Sequence, residues 1–201
     1  MPAHCGKKAP WVGLDLKGNQ CHGGRQAYGP YDYVTERDRS YIVEQYHFGP
    51  ESENLVKPMQ DNFPGDFDYT LRAIPNHHRA LLTITRYQIE LNKKIKKTQK
   101  LLSPVECYFQ RAINFSPSDA ATQSLYANYL HKIGENQKSD QWYKKAVNLS
   151  PDNAKILYSY GLFLIDTNEL EQAYKIALEA YKDPKTPPKL KEILIEKGQW
   201  K

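Results

Sequence analysis

The segments INFSPSDA at residues 113–120 and VNLSPDNA at residues 147–154 nearly repeat one another, with their prolines 34 residues apart. A similar run precedes each proline, ECYFQRAINFSP at 106–117 and DQWYKKAVNLSP at 140–151. A third copy, ELEQAYKIALEAYKDP, ends at Pro184 and is one residue shorter. Self-similarity with a period of roughly 20–50 residues is the sequence pattern of stacked repeats. The second half of the chain therefore predicts an array of such repeats.

The segments between these copies are apolar runs of helical period, SLYANYLHKIG and ILYSYGLFLID, with Ala127 and Gly161 at their centres. Antiparallel helices pack closely only where the facing side chains are small, and larger side chains fill the grooves beside them. The pattern resembles the tetratricopeptide repeat. Its small positions fall on Ala127, Ser139, Ala146, Gly161, Ala173 and Ala180, its large ones on Tyr126, Leu130, Tyr143, Tyr160 and Leu164, and its closing prolines on Pro117, Pro151 and Pro184. The resemblance implies an all-α helical solenoid of about three helix pairs.

The first helix pair of this array begins upstream of the repeated segments. One of its helices starts at Ser103–Pro104, a capping residue followed by a proline at the first helical position. Its partner is NHHRALLTITRYQIEL at residues 76–91, for which we predict Asn76 as the N-cap. The lysine-rich insertion NKKIKKTQK at 92–100 makes this pair longer than the others.

We expect the chain to comprise three parts. Residues 1–72 form an irregular arm rich in tyrosine and glycine, with short helices over 40–44 and 51–59 and a turn at Pro64–Gly65. Residues 73–186 form the repeats, and residues 187–201 form a C-terminal capping helix, because the end of a helical stack requires a cap. A tyrosine-rich arm cannot bury its own rings, so we expect it to dock on the repeats. In the capping helix Leu190, Ile193 and Leu194 face inward, and Trp200 folds back after Gly198.

The chain has three cysteines, Cys5, Cys21 and Cys107. We predict a disulfide between Cys5 and Cys21, which would close a short loop and remove roughly 3 kcal/mol of chain entropy from the unfolded state. Free thiols in a cytosolic protein are the alternative. The paired cysteine and histidine spacings of zinc and haem sites are absent from the sequence, so we expect no metal and no cofactor.

Histidines and acidic residues are candidates for a polar junction between the arm and the repeats. His77 and His78 are neighbours on a helix, about 100° apart around its axis, so they cannot both bind one ion. We expect one of them to pack against the N-terminal segment, while the other caps the helix or faces water. The alternative is that one of them pairs with Asp66, Asp68 or His47 to form a polar pocket. The predicted junction comprises Tyr31, Tyr33, His47, Asp66, Asp68, Arg72, His77 and His78. No nucleophile and base can be matched by spacing, so the sequence predicts no catalytic residue.

The formal net charge of +5 is concentrated from residue 76 onward. A basic region favours nucleic acid through phosphate attraction. The aromatic residues there recur at core spacings instead of forming a stacking platform, so we expect no nucleic-acid partner. No apolar run approaches the roughly 20 residues of a membrane span. The first ten residues also lack the apolar core of a signal peptide.

Beyond the repeats, the whole chain is similar to a group of bacterial exported tetratricopeptide proteins. The similarity lies in YGPYDY at 28–33, GDFDYTLRAIPNHHRAL at 65–81, ECYFQRAI at 106–113 and KLKEILIEKGQW at 189–200. It implies a periplasmic or extracellular protein whose signal peptide has been removed, with the cytoplasm as the alternative. It implies no known activity.

Three functions follow from these patterns. The first is a non-catalytic protein–protein interaction or scaffold module of the bacterial envelope or exterior, which binds a partner segment in the groove of the repeats. The predicted contact residues are Tyr126, Asn128, Tyr129, Tyr158, Tyr160 and Phe163. The second is a structural subunit whose arm docks on a neighbouring copy, giving a homo-oligomer or a head-to-tail fibre. The third is a metal-binding protein or enzyme that uses His22, His47, His77, His78, Asp66 and Asp68.

Overall fold

The structure, a computed structural model, describes residues 8–26, 28–93 and 99–200, and at 92 and 93 the backbone only. Within these ranges the chain forms ten α-helices and no strand, apart from an isolated antiparallel bridge between Leu14 and Gln20. The helices are α1 (Arg37–His47), α2 (Pro50–Glu53), α3 (Phe63–Ala73), α4 (His78–Lys93), α5 (Val105–Phe115), α6 (Ala120–Lys132), α7 (Asn136–Leu149), α8 (Ala154–Asp166), α9 (Leu170–Ala180) and α10 (Lys189–Glu196). Their packing in consecutive pairs confirms the predicted all-α, tetratricopeptide-like architecture.

The chain divides into two compact units. Unit 1 is Met1–Thr122 and contains α1 to α5, and unit 2 is Gln123–Lys201 and contains α7 to α10. The division falls within α6. The predicted domain boundaries after residues 72 and 186 stay predictions.

Small side chains let the helices of unit 2 approach one another. The hydroxyl of Ser139 on α7 donates to the carbonyl oxygen of Ala127 on α6 over 2.8 Å. A Cβ atom on Gly161 would lie 2.7 Å from Cδ2 of Leu190, so this position leaves no room for a larger residue while α10 stays in place. The six small positions of the repeat pattern are all buried: Ala127, Ser139, Ala146, Gly161, Ala173 and Ala180. The close contacts that the pattern predicts are therefore present.

Helix α10 covers the end of the helix pair α8–α9, as the sequence predicts. Leu190 and Leu194 are fully buried, and Ile193 packs against the same core. The chain then turns at Gly198, whose φ of 69° lies in the left-handed region that favours glycine. Trp200 folds back so that its ring meets that of Tyr181 edge to face, with 5.6 Å between the centroids.

Helix α3 begins where the sequence suggested a turn. The side-chain oxygen of Asn62 accepts a hydrogen bond from the backbone N–H of Gly65 over 2.8 Å, which caps the helix. Pro64 lies in the first helical turn, where its missing N–H leaves no hydrogen bond unmade. The predicted turn at Pro64–Gly65 is therefore wrong. Two other elements differ in length: α1 is longer than predicted, and α2 is shorter.

Helix α4 is capped by His77 and not, as predicted, by Asn76. The carbonyl of His77 accepts from Leu81 over 2.9 Å, the first hydrogen bond of the helix. Its ring Nδ1 accepts from the backbone N–H of Ala80 over 3.2 Å. At α5, Ser103 does not cap either, because its hydroxyl donates to the carbonyl of His22. Most of the insertion at 92–100 lies outside the described residues.

Three tyrosines of residues 1–72 find apolar cover within unit 1. Val43 of α1 and the end of α3, Ala73 and Ile74, form a small buried cluster. The rings packed against this cluster are Tyr31, Tyr33 and Tyr69. Tyr31 and Tyr33, from the segment before α1, therefore complete a core that α1 and α3 begin.

Candidate interaction surfaces

A disulfide joins Cys21 to Cys107 on α5, with 5.4 Å between their Cα atoms. A cysteine forms one disulfide, so the predicted pairing of Cys5 with Cys21 is wrong; Cys5 itself lies outside the described residues. The prediction favoured the partner nearest in sequence. Docking of the arm instead brings together two cysteines that are 86 residues apart, and both are buried.

Hydrogen bonds extend this attachment of the arm along α5. Gln110 donates to the carbonyl of Leu14 over 2.7 Å, and the Glu106 carboxylate accepts from the backbone N–H of Leu16 over 3.0 Å. Gly13 crosses α5 so closely that an added Cβ would clash with the side chain of Gln110. Residues 8–26 are thus tied to α5 of their own chain.

Arg111 is the largest fully buried side chain of unit 1. Its guanidinium donates to the carbonyl oxygens of Leu71 and Arg72 in the last turn of α3, at 2.6 and 3.3 Å, and to Ala9 at 2.8 Å. Burial lowers the pKa of Arg111 to about 10. A cation at the carbonyl end of a helix satisfies groups that have no partner within the helix. Arg111 therefore holds the arm and the end of α3 together.

Asp68 and Arg72, two of the predicted junction residues, form an ion pair on α3 at 2.6 Å. The same carboxylate accepts from the hydroxyl of Tyr108 at 2.7 Å. Burial, together with the Asp68 charge, raises the pKa of Tyr108. This group joins α3 to α5 and includes neither His77 nor His78.

His47 and Asp66 form a second, separate pair. Nδ1 of His47 lies 3.3 Å from the buried Asp66 carboxylate, which also accepts from the backbone N–H groups of Met59 and Gln60. The imidazole stacks on Tyr69, with 3.9 Å between ring centroids. The pair fixes the loop before α3 against the end of α1.

His77 is buried and paired with Glu44 of α1, with Nε2 2.9 Å from the carboxylate. Because Nδ1 accepts from Ala80, the proton of the neutral ring lies on Nε2 and is donated to Glu44. Burial lowers the pKa of His77, and Glu44 opposes part of that shift. Burial alone would raise the pKa of Glu44, but hydrogen bonds from His77 and Arg37 outweigh it and lower that pKa to about 2.

His78 points elsewhere, to Asp119, with 2.7 Å between Nε2 and the carboxylate. The side chain of Asn76 joins this group by donating to Asp119 over 3.0 Å and accepting from the N–H of Tyr33 over 2.9 Å. Burial acts to raise the pKa of Asp119, but hydrogen bonds led by that of His78 hold it below its ordinary value. Asn76 thus links the tyrosine arm to the end of α5.

The polar junction is therefore a set of separate pairs. His77, which precedes α4, and His78, its first residue, pair with different acids, and neither meets Asp66, Asp68 or His47. Tyr31, the remaining predicted junction residue, packs on Tyr28 at 5.0 Å. In the part of the chain that the structure describes, no group of three metal-binding side chains comes together. No helix in that part has the length and apolar content to cross a membrane.

Unit 1 also has an open cleft of about 960 Å³ that the sequence did not reveal. Trp11 and Tyr31 line it beside three cations, Lys8, Arg25 and Arg111, and one carboxylate, Glu36. The donors of Arg111 are engaged by the surrounding carbonyls and by Gln26. No pattern in the sequence places these distant residues together.

The six predicted contact residues of unit 2 separate into two groups. Tyr126, Tyr129, Tyr160 and Phe163 are buried, whereas Asn128 and Tyr158 are partly accessible. Tyr160 is part of a stack with Tyr143 at 5.2 Å, and its hydroxyl donates to Asp140 over 2.8 Å. Burial, reinforced by Asp140, raises the pKa of Tyr160. The rings of the buried group thus serve helix packing, and the predicted binding role stays a prediction.

Accessible side chains of α6 and α8 fall on matching positions. The stripe on α6 comprises Leu125, Asn128 and Lys132, and the stripe on α8 comprises Ser159, Leu162 and Asp166. Each residue of the first stripe is one repeat period of 34 residues from its counterpart in the second. Of the other residues from 124 to 132 and from 156 to 166, only His131 and Tyr158 are not buried. We call these six side chains the repeat stripe.

His131 joins the two halves of the repeat stripe. Its Nε2 lies 3.1 Å from the Asp166 carboxylate, and its ring meets Phe163 edge to face at 5.1 Å. The second ring nitrogen lies 2.9 Å from the side-chain oxygen of Asn136. These contacts fix α6 against α8 at the end of the stripe.

The ten helices and the buried small residues form an all-helical array like that of tetratricopeptide repeats. The chain matches no protein-family model. Over 78 residues it is 32% identical to the type IV pilus assembly protein PilF of Pseudomonas aeruginosa. These 78 residues are 39% of this chain and 31% of that protein. It is 33% identical over 66 residues to a TPR repeat-containing protein of Dictyostelium discoideum, 33% of this chain and 25% of that protein. Tetratricopeptide-repeat proteins are thus distant homologues of part of the chain, which spans less than a third of either relative.

Proposed function

We propose that this protein is an interaction module of the bacterial envelope or exterior that binds a segment of another protein on the repeat stripe. The observation that carries the proposal is the match between the accessible positions of α6 and α8 at the repeat period. Equivalent packing of the two repeats leaves the same positions of α6 and α8 accessible, so these side chains offer a surface that spans successive repeats.

The chemistry of the repeat stripe suits an extended peptide segment. Ser159, whose hydroxyl donates to the carbonyl of Lys155, offers an acceptor for a backbone amide, and Asn128 offers a side-chain amide that also bonds Tyr143. Leu125 and Leu162 offer apolar contact. One cation and one carboxylate, Lys132 and Asp166, lie at equivalent positions of the two helices. A groove with both kinds of contact binds the main chain through its polar groups and selects side chains through its apolar ones.

Two observations support a location in the envelope or outside the cell. The Cys21–Cys107 disulfide is of the kind that persists in oxidising compartments and is rare in the cytosol. One of the relatives is by its name a type IV pilus assembly protein. We extend to this chain only the general role, that of holding another envelope protein. The attachment of residues 8–26 to α5 of the same chain gives no support to exchange of the arm between copies.

The test compares two leucine-to-aspartate variants in unit 2. Leu162→Asp places a charge in the repeat stripe, and Leu178→Asp places one on the exposed side of α9, outside the stripe. Proteins captured from an envelope fraction by the wild type should fall by at least about tenfold with Leu162→Asp and be unchanged with Leu178→Asp. Circular dichroism checks that both variants remain helical. Equal capture by the two folded variants would contradict the proposal.

A further inference from the structure

Helix α1 exposes large apolar and aromatic side chains on its outer side, among the polar side chains of Asp38, Arg39 and Gln45. The inner side carries Val43, which is buried against α3. The outer side carries Tyr41, Ile42 and Tyr46, which are 69%, 49% and 53% exposed. Monomeric proteins rarely leave contiguous apolar patches of this kind in water, and such patches mark interaction surfaces. The outer side of α1 is therefore a candidate interaction surface.

Neighbouring aromatic residues extend this surface. Tyr28 and Tyr69 line a shallow pocket of about 210 Å³ together with Ile42 and Tyr46. Small-molecule sites have volumes of roughly 300–1,000 Å³. The pocket on α1 is smaller, so it suits a single side chain of a protein partner.

The outer side of α1 is complementary to itself. Asp38 and Tyr46 lie four residues before and after Ile42, so the three residues form one i±4 ridge, which is the ridge used in the commonest class of helix packing. The Asp38 side chain is 81% exposed. In the described part of the chain, the hydroxyl of Tyr46 has no hydrogen-bond partner.

We propose that two copies of this chain associate through α1, antiparallel about a two-fold axis at Ile42. In this arrangement the Tyr46 hydroxyl donates to Asp38 of the partner subunit, and the same contact forms again on the other side of the axis. A two-fold contact of this kind closes on itself and gives a dimer, not a fibre.

A second copy suits this surface because it brings both halves of the complementary ridge. Another protein would need to supply a carboxylate and a tyrosine at the same spacing. The eleven residues of α1 extend over about 16 Å. A contact of that size is small beside the roughly 1,200–2,000 Å² of stable complexes, so the dimer is weak and depends on concentration. The inference uses α1 alone and does not depend on binding at the repeat stripe.

Sedimentation velocity from micromolar to millimolar concentration tests the proposal. The wild type should pass from monomer to dimer across this range. Ile42→Asp should raise the dimer dissociation constant by at least about tenfold, because it places two carboxylates on the axis. Val56→Asp, a matched change at a side chain that is 72% exposed elsewhere in unit 1, should leave the constant unchanged. A wild type that stays monomeric throughout, or a dimer that persists in Ile42→Asp, would overturn the proposal.

A cross-linking variant decides the case even if Ile42→Asp fails to fold. In a Cys5→Ala background, Ile42→Cys brings two thiols together at the axis and should give a covalent dimer under mild oxidation. Val56→Cys in the same background should remain monomeric. Cross-linking at position 56 but not at position 42 would show that a different surface is used, and the proposal would then be wrong.

Discussion

In unit 1 the buried side chain of Arg111 donates to backbone carbonyls, whereas in unit 2 the buried residues of α8 and α9 include Gly161, Ala173 and Ala177. The first unit is joined by polar and covalent links between segments far apart in the chain. Gln110 and Leu14 are 96 residues apart, and the disulfide spans 86. The second unit is held by contacts between helices adjacent in sequence, such as the hydrogen bond from Ser139 to Ala127.

This difference shows how each unit depends on its sequence. A repeat buries its surface against its neighbour, so a local pattern of small and large residues is sufficient to define it. The arm of unit 1 lacks such a pattern and becomes ordered only when its individual partners are in place. The units should therefore respond differently to the loss of a buried apolar side chain, to the loss of the disulfide and to acid.

The largest effect is expected from Phe163→Ala in unit 2. Phe163 is buried against Tyr143 and Tyr160, with ring centroids 5.3 and 6.1 Å away. Removing a buried ring of this kind costs about 3–5 kcal/mol of unfolding free energy. Chemical denaturation measures the loss, and Leu178→Ala, at an exposed position, should cost far less. A loss below about 1 kcal/mol would contradict the packing described for unit 2.

Removal of the disulfide should come next and should act on unit 1. Replacing Cys21 and Cys107 with alanine removes the cross-link that restrains the unfolded chain, while the hydrogen bonds to α5 remain, and costs about 2–4 kcal/mol. Hydrogen exchange should show the greatest loss of protection in residues 8–26 and in α5. Thiol counting under denaturing, non-reducing conditions should find one free thiol in the wild type. Three thiols would show that the bridge does not form.

Acid should destabilise unit 1 through His77. Its pKa in the folded chain lies below the ordinary value of 6.5, so the unfolded chain binds a proton that the folded chain does not. Unfolding free energy should therefore fall as the pH drops below about 6.5, and fall again below about 4.5 as Glu44 is protonated in the unfolded chain. Urea titrations at several pH values measure the slope. His77→Gln should flatten the first part of the decrease, and an unchanged slope would contradict the buried neutral imidazole.

The smallest effects should be equal in the two units. Asn62 caps α3 in unit 1, and Asn153 caps α8 in unit 2 by accepting from Lys155 and Ile156. Each asparagine-to-alanine change should cost about 1 kcal/mol, since the same local hydrogen bond is lost. Thermal unfolding of the two variants measures the cost. A several-fold larger loss at Asn62 would mean that the cap also holds the arm in place.

The fold of unit 2 could be read from its sequence because its information is local. The period placed α6 to α9, and the small residues marked the contacts between helices. The inward residues of α10 and the return of Trp200 were confirmed for the same reason, since they follow from helical period and a glycine end. The accessible stripe was harder to find. Aromatic residues suggest a binding surface, yet Tyr160 and Phe163 are needed by the core.

In unit 1 the sequence identified chemically important residues without their partners. It singled out His77 and His78 and excluded a shared ion, but Glu44 and Asp119, which bind them, come from distant segments. The wrong pairing of Cys21 has the same cause. The helix start at Asn62 could have been recognised, because an asparagine before a proline in the first turn is a capping pattern.

The most direct test of a binding surface built from successive repeats is photo-crosslinking from its two halves. A photoreactive amino acid is placed at Leu125 on α6, at Leu162 on α8, or at the control position Leu178 on α9, in cells that make the protein. Positions 125 and 162 should become linked to the same partner, because both lie on the repeat stripe, and position 178 should not. Linkage from 178 alone, or different partners at 125 and 162, would contradict it.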